Sequence, residues 1–204
     1  MNHATDNPSN LPSKSELRQH LRAKRVAYSR RDEASRRILA RLGEQLRFQN
    51  AASVGWYIDA GSEVTTRASL QHKLTAKVGH HAVPSCVDGD LVFHLVHSWT
   101  DLHPGQFGIL APNDSIRDDP SRGVDPKRLE VVLVPGVGFD RRGNRLGQGK
   151  GFYDRFLASL SDNTLKVGLA FDCQVVDEVP CDPHDQPMDW IVTESELMKV
   201  GRWR

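Results

Sequence analysis

The sequence predicts a single α/β domain in which a mostly parallel sheet is covered by helices on both faces. Short apolar segments rich in β-branched residues, such as 131–134, alternate along the chain with amphipathic segments of helical period, such as 32–48. The chain has 204 residues, which suits one domain with a sizeable core. Ligands of such sheets collect beyond the carboxyl ends of the strands, so we expect a site at that edge.

The N-terminal part of the chain predicts a tail and two helices. Residues 1–12 are polar and rich in Pro and Asn, so we expect a disordered tail before a folded domain that spans 13–204. Ser13 and Glu16 have the spacing of a capping box, which predicts that a helix begins there. A second helix is expected over 32–48.

The middle of the chain predicts short strands around one helix and then a long connection. We expect a buried strand over 53–58, a helix over 65–76 and two short strands at 80–84 and 91–96. The stretch 103–128 contains several prolines and little periodicity, so it is predicted to be mostly loop.

The last third of the chain continues the alternation. We expect strands over 129–134, 166–171 and 190–192, with a helix over 152–160 after the first of them. A second capping-box pattern at 193–196 predicts that a short final helix begins there.

Positive charge is concentrated near the start of the chain. Residues 14–47 contain eleven Lys or Arg and four Asp or Glu, whereas the whole chain has a net charge of only +1. Such a region suits a polyanionic ligand, namely nucleotide phosphates, a polyglutamate or nucleic acid. A solvated helical face explains the same charges equally well.

Cysteine spacing and hydropathy indicate the compartment. Cys86, Cys173 and Cys181 form neither a zinc motif nor a disulfide framework, which favours a reducing environment. The first twelve residues contain no apolar signal segment, and no stretch approaches the roughly 18 apolar residues of a membrane span. We therefore expect a cytoplasmic protein.

The segment 135–154 carries the strongest functional signal. It follows a predicted strand and ends in a predicted helix, and Arg145 and Lys150 place two cations in it. Its glycines let the backbone approach a ligand closely, and they are Gly136, Gly138, Gly143, Gly147, Gly149 and Gly151. Exposed amides, fixed positive charge and a following helix N-terminus predict a phosphate-binding loop.

The common phosphate motifs do not fit this segment. A Walker A loop would require glycine at Asn144 and Ser or Thr at Gly151. A dinucleotide-binding fingerprint would require glycine at Phe152.

The segment PGVGFDRRGNRLGQGKGFYD instead resembles the signature of the 5-formyltetrahydrofolate cyclo-ligase family throughout its length. Three weaker elements follow in the family's order: KSELR at 14–18 is similar to its K-x-x-L-R, and Glu63-Val64 is similar to its folate-side acid. The third is HDQPMD at 184–189, followed by Ile191, Thr193 and Glu194. The resemblance covers residues 13–196.

The resemblance implies an ATP-dependent and magnesium-dependent ring closure of 5-formyltetrahydrofolate to 5,10-methenyltetrahydrofolate. Catalysis of this type depends on positioning and charge neutralisation, and the catalytic cations it implies are Lys14, Arg18, Arg145 and Lys150. The ATP-binding residues it implies are Lys14, Ser15, Glu16, Leu17, Arg18, Arg145, Leu146, Gly147, Gln148, Gly149, Lys150, Gly151, Phe152 and Tyr153.

The resemblance also implies residues for the folate and for the metal. Substrate would contact Arg18, Ile58, Glu63, Phe107 and Tyr153, with Glu63 accepting pterin N–H groups and the aromatic rings stacking on the pterin. Magnesium would be held by Asp154 and Asp189.

One departure from the family pattern leaves two alternatives open. Ala111 stands where the family often has a glutamate, so a paralogue acting on another small amide or carboxylate is one alternative. A nucleic-acid-binding module that uses residues 14–47 is the other, although the region lacks interleaved aromatic residues. The leading expectation is a monomer that binds a reduced folate, with neither nucleic acid nor membrane as partner.

Overall fold

A computed structural model describes residues 12–105 and 108–201. The helices are α1 (Lys14–Ala27), α2 (Arg31–Gly43), α3 (Leu46–Gln49), α4 (Arg67–Ala76), α5 (Asp114–Arg117) and α6 (Phe152–Ala158). The strands are β1 (Ser53–Gly55), β2 (His80–Val87), β3 (Asp90–Val96), β4 (Leu102–Pro104), β5 (Leu110–Pro112), β6 (Val131–Pro135), β7 (Gly138–Asp140), β8 (Arg145–Leu146), β9 (Leu165–Leu169), β10 (Val175–Val176), β11 (Trp190–Val192) and β12 (Leu197–Lys199).

A seven-stranded sheet forms the centre of the molecule, in the order β12-β11-β9-β6-β1-β2-β3. The five inner strands pair in parallel, and the two edge strands, β3 and β12, pair antiparallel to their neighbours. A three-stranded sheet, β10-β7-β8, and the hairpin β4-β5 lie beside it. The predicted fold class is confirmed.

The central strand β6 shows why the sheet is covered on both sides. Successive strand residues point to opposite faces, and here both faces are apolar. Val131 and Leu133 pack in the cluster that contains residues of α2, α3 and α4. Val132 and Val134 pack in the other cluster, together with Phe156 of α6. An uninterrupted apolar run is therefore what this position requires.

Helix α1 belongs to a third, smaller cluster. Its Leu17 and Leu21 pack against Val137, Leu146 and Val179 around the hairpin of β7 and β8. The capping box that predicts the start of α1 is present, because Glu16 N donates to Ser13 Oγ and Ser13 N donates to Glu16 Oε2. Packing of α1 on this hairpin brings Lys14 and Arg18 close to the glycine-rich segment 135–154.

The expected final helix after residues 193–196 is wrong. Thr193–Glu196 form the turn between β11 and β12, in which Thr193 Oγ1 accepts from the backbone N–H of Ser195 and of Glu196. A hydroxyl that caps a helix can close a tight turn with the same local bonds. Pairing of β12 with β11 then extends the sheet.

The other elements are confirmed in kind and shifted at their ends. The helix expected over 32–48 divides at Gly43 into α2 and α3, and regular pairing of the strand expected over 53–58 ends at Gly55. The loop expected over 103–128 contains β4, β5 and α5. Of the expected tail, residues 1–11 lie outside the described residues.

In the described ranges, no helix combines the length and the apolar character that a membrane span requires.

Replacement of Leu133 by Ala should lower the free energy of unfolding by about 2–5 kcal/mol, because this fully buried side chain leaves a cavity in the central strand. Urea unfolding measures the change. The control is Leu46→Ala, since Leu46 is 71% exposed and should change stability by less than about 0.5 kcal/mol. Equal losses in the two variants would contradict the assignment of β6 to the core.

Candidate functional site

A cavity of about 480 Å³ opens beside Pro135 and Gly136, at the carboxyl end of β6. This is the edge at which parallel sheets bind ligands. Its walls come from the segment after β1, from the β4–β5 hairpin and from the glycine segment. The lining residues that bear on chemistry are Tyr57, Ile58, Glu63, Arg145, Gly147, Gln148, Gly149, Lys150, Gly151, Phe152, Tyr153 and Asp154.

Residues 147–151 form the loop between β8 and α6, called the glycine loop below. Gly149 has a φ of +98°, a conformation that side chains with a β-carbon rarely adopt. Gly151 is the residue before α6, so the loop delivers its backbone directly to a helix N-terminus. Lys150 is exposed on this loop and lines the cavity. The glycines of the loop and one cation thus line the same cavity.

An ion pair lies beneath the glycine loop. Arg145 Nη2 donates to Asp154 Oδ1 over 2.8 Å, and the Arg145 side chain is only 4% exposed. The guanidinium also lies 5.6 Å from the ring centroid of Tyr153. A β-carbon at position 147 would lie 2.8 Å from Arg145 Nη1, so Gly147 lets the loop pass directly over the guanidinium. One charged pair therefore joins β8 to the start of α6, the two elements that flank the loop.

A second cavity of about 270 Å³ adjoins the first and shares the glycine loop, Arg145 and Asp154 with it. Lys14 and Arg18 of α1 line its other side. Arg18 Nε donates to Gly147 O over 2.9 Å, and Arg22 donates to the side chain of Gln148. Helix α1 thereby anchors the loop from the side opposite α6.

Two carboxylates hold Lys14 at this second cavity. Lys14 Nζ lies 2.6 Å from Asp182 Oδ2 and 2.5 Å from Asp185 Oδ2. Partial burial alone lowers the pKa of Lys14, but the hydrogen bonds to Asp182 and Asp185 outweigh that effect and raise it. With His184 the two acids place one possible metal ligand atom each within 4.8 Å of one another. The Lys14 ammonium group already bridges Asp182 and Asp185. We therefore interpret these two acids as the counter-charge of Lys14 and not as metal ligands.

Glu63 is one of two acidic residues that line the first cavity in the described part of the chain; the other, Asp154, is paired with Arg145. Its side chain is 12% exposed, and its Oε2 accepts from Ala60 N over 3.1 Å. Burial raises the pKa of Glu63 above its ordinary value, and the Ala60 amide and the Arg25 charge oppose that effect in part. Burial likewise raises the pKa of Tyr57 and of Tyr153, so both phenols stay neutral. Away from the Arg145–Asp154 pair, Glu63 is therefore a carboxylate placed between neutral rings.

The sequence-predicted residues do not all meet here. Ser15 and Glu16 are exposed at the start of α1, and Glu16 is engaged with Ser13. Leu17 is buried in the third apolar cluster. Phe107 lies outside the described residues. The remaining residues expected for ATP, substrate or catalysis line one of the two cavities.

Asp189 is not brought to Asp154. It precedes β11, and its Oδ2 accepts from Lys166 N over 2.8 Å while its own N–H donates to Lys166 O. Lys166 is the second residue of β9, so both groups lie at the amino edge of the sheet, opposite the cavities. The sequence could have predicted the location of Asp189, because a residue just before a parallel strand lies at the amino edge of the sheet.

Sequence reasoning missed three groups of the site. Arg25 lies behind Glu63, and Asp182 and Asp185 hold Lys14. Helical spacing could have found Arg25, since residues 14, 18 and 25 share one face of α1. No local pattern marks Asp182, and the element at 184–189 contains Asp185 without indicating its contact with Lys14, because both aspartates reach α1 from a part of the chain far away in sequence.

A sheet whose carboxyl edge carries a cationic glycine loop before a helix defines an α/β protein of the kind that binds phosphorylated ligands. The model of the 5-formyltetrahydrofolate cyclo-ligase family matches residues 10–194. The chain belongs to this family, as the sequence predicts.

Known relatives agree with this assignment. The chain is 33% identical to the NMR structure of a 5,10-methenyltetrahydrofolate synthetase from Aquifex aeolicus, with a TM-score of 0.82 and 94% of each chain covered. A 5-formyltetrahydrofolate cyclo-ligase of Haemophilus influenzae is 31% identical over 69% of this chain and 74% of its own. The enzyme of that name from Escherichia coli K12 is 39% identical over 56% of this chain, and the match spans only 60% of its length.

Replacement of Gly147 by Ala should lower the free energy of unfolding by about 1–3 kcal/mol, because the new methyl group overlaps a guanidinium that is pinned by Asp154. Urea unfolding provides the measurement. At Gly43, where a β-carbon meets nothing within 4 Å, the same substitution should be neutral or stabilise by up to about 1 kcal/mol. A neutral Gly147→Ala would show that Arg145 is not held beneath the loop.

Proposed function

We propose that the protein converts 5-formyltetrahydrofolate and ATP to 5,10-methenyltetrahydrofolate, ADP and phosphate. One observation carries the proposal: the glycine loop with Arg145 and Asp154 lines two adjoining cavities. One cavity contains the buried acid Glu63 and the other contains Lys14 and Arg18. A folate and a nucleotide bound on the two sides of this loop would meet at it.

The reaction needs such a meeting point because a formamide oxygen is a poor leaving group. Transfer of the γ-phosphoryl group of ATP to the formyl oxygen forms an O–P bond and releases ADP. Nitrogen N10 then attacks the formyl carbon, the C–O bond breaks with loss of phosphate, and the N10 proton leaves to give the methenyl cation. Positioning and charge neutralisation are the main demands on the protein.

The cations of the second cavity suit the phosphoryl group. Lys14, Arg18 and Lys150 approach it from α1 and from the glycine loop. The Asp182–Asp185 pair keeps the Lys14 ammonium charged and in place until a phosphate competes for it. In the first cavity, Glu63 would accept the amino and ring N–H groups of the pterin, with Ile58 and Tyr153 against the ring.

Asp154 suits a magnesium ion beside the phosphates. Its side chain is 16% exposed and lines both cavities, and Arg145 engages only Oδ1. Mg²⁺ usually takes one or two carboxylates together with phosphate oxygens and water, so a single aspartate is sufficient protein ligation. When bound, the ion would neutralise charge on the β- and γ-phosphates.

A second substrate remains a candidate because of Ala111. The adjacent residues Ile109 and Leu110 line the first cavity, so a missing carboxylate at position 111 alters the chemistry near its rim. An enzyme of this design that phosphorylates another small amide or carboxylate would keep the glycine loop and change this rim.

The nucleic-acid alternative is disfavoured by where the basic side chains go. Several arginines between residues 14 and 47 donate to backbone carbonyls of other segments: Arg18 to Gly147, Arg25 to Gly136, Arg41 to Thr193 and Arg47 to Asn163. Charges used in this way join elements of the fold.

We further propose a cytoplasmic monomer, and the location is supported by three cysteines that are all free thiols.

The purified protein, mixed with ATP, magnesium and 5-formyltetrahydrofolate, should generate the methenyl absorbance. Lys150→Ala should reduce turnover by about 10²-fold or more, because a cation aimed at transferring phosphate is removed from a preorganised site. Lys127→Ala is the charge-matched control, since Lys127 is exposed on the turn before β6, and it should retain full activity. An inactive wild-type protein, or an active Lys150→Ala, would refute the proposal.

Glu63→Gln should raise the KM for 5-formyltetrahydrofolate about 10- to 100-fold, because a charge-assisted hydrogen bond worth about 1.5–3 kcal/mol is lost. The KM for ATP should change less than about twofold on this reasoning. Steady-state kinetics with each substrate varied separately measure both constants. Exposed Glu44→Gln is the control, and an equal rise in both constants would instead indicate a folding defect.

The pH dependence of the folate KM of the wild-type protein follows from the ionisation of Glu63. Burial raises the pKa of Glu63, so its carboxylate is lost at a higher pH than that of an exposed glutamate. The folate KM should therefore be constant above this raised pKa and increase as the pH falls through it. Glu63→Gln should abolish that increase.

A further inference from the structure

Arg25 is a buried cation that the proposed reaction leaves without a role. Its side chain is 7% exposed and comes from the last turn of α1. It lies three turns after Lys14, about 17 Å along the helix. The helix that presents Lys14 and Arg18 at one end thus presents a third cation at the other, on the same face.

The contacts of Arg25 join three segments of the folate side. Nε donates to Ser62 Oγ over 3.0 Å, and Nη1 donates to Gly136 O over 3.1 Å at the end of β6. Nη1 also lies 4.0 Å from Glu63 Oε1. The guanidinium therefore pins the residue before Glu63 with a hydrogen bond and faces Glu63 itself with charge.

Arg25 reaches Glu63 from behind the wall of the first cavity. Glu63 lines this cavity, whereas Arg25 is not among its lining residues in the described part of the chain. A buried carboxylate is costly unless a counter-charge or hydrogen bonds compensate it. Burial lowers the pKa of Arg25 as well, but an arginine stays charged at every relevant pH.

Among the described residues, three other cations line the cavity of Glu63, but Arg145 is paired with Asp154, Arg22 donates to Gln148, and Lys150 is exposed on the glycine loop. Asp59 repels Glu63, although Asp59 is itself paired with Arg67 over 3.2 Å. The Ala60 amide donates a hydrogen bond to Glu63, the Gln148 side chain interacts with it, and both groups are neutral. The buried phenol of Tyr57 and the partly buried phenol of Tyr153 also interact with it and are neutral.

We propose that Arg25 is a positioning residue, which supplies the counter-charge of Glu63 from outside the cavity and fixes the segment that carries it for the reduced pterin. The part that concerns the pterin rests on the proposed function. Arg25 itself touches no substrate. Its effect on the reaction passes through Glu63, and it joins the folate side to the helix that carries the phosphate-side cations.

The direct test needs no substrate. The protein is labelled with ¹³C at glutamate carboxyl carbons, and the Glu63 resonance is identified by its loss in Glu63→Gln. Arg25→Gln, which keeps hydrogen-bond donors but is neutral, should raise the titration midpoint of Glu63 by about one pH unit or more. Arg25→Lys, which keeps the charge, should leave the midpoint close to that of the wild type. Lys24→Met removes an exposed cation from the same helix and should leave it unchanged.

Kinetics with the same variants test the consequence for substrate. Arg25→Gln should raise the folate KM about tenfold and change the ATP KM and kcat less than about threefold. The acid limb of the pH profile of kcat/KM for the folate should shift to higher pH, together with the titration midpoint of Glu63. Arg25→Lys should rescue most of this loss. If Arg25→Gln does not fold, Arg25→Met takes its place.

The outcomes separate the inference from the proposed function. An unchanged Glu63 midpoint in folded Arg25→Gln overturns the counter-charge role. Equal rises in the folate and ATP KM overturn the positioning role, since they indicate a general structural defect. If the wild type fails to turn over the folate but the midpoint moves as expected, the proposed function is refuted and the Arg25–Glu63 coupling stands.

Discussion

The buried ion pair between Arg145 and Asp154 is the interaction on which the rest of the site depends. It joins β8 to the first turn of α6 beneath the glycine loop, and Gly147 lies directly over the guanidinium. With the pair in place, one short loop lines two cavities at once, and Lys150 borders both. A reaction between a nucleotide and a folate needs such a shared wall, because the phosphoryl group must cross from one ligand to the other.

Helix α1 is the second organising element, and it uses arginines as well as apolar contacts. Leu17 and Leu21 dock it on the small sheet, while Arg18 reaches the glycine loop and Arg25 reaches the end of β6. Each of these arginines donates to a backbone carbonyl just after the end of a strand, Gly147 after β8 and Gly136 after β6. Several arginines of the basic segment 14–47 therefore connect α1, α2 and α3 to other parts of the fold. Net charge alone could not distinguish this structural role from a nucleic-acid surface.

Much of the fold was predictable because binary patterning and strand-helix alternation are local signals. The run at β6 and the capping box of α1 both led to the correct element. The final helix was wrong because a Thr-x-x-Glu pattern satisfies a tight turn as well as a helix, and pairing with β11 decides between them. In the site, too, local features were predictable from the sequence and long-range contacts were not. The glycine loop is contiguous and was recognisable, whereas the Asp182–Lys14 and Arg25–Glu63 contacts join distant segments and follow only from the tertiary structure.

In the proposed reaction, the two adjoining cavities deliver the γ-phosphoryl group of ATP to the formyl oxygen. The most direct measurement uses 5-formyltetrahydrofolate labelled with ¹⁸O in the formyl group and follows the label in the products by mass spectrometry. If the formyl oxygen is phosphorylated before ring closure, the released phosphate carries the label. Label found in water, with unlabelled phosphate, would show that ATP hydrolysis and ring closure are separate events and would contradict the account.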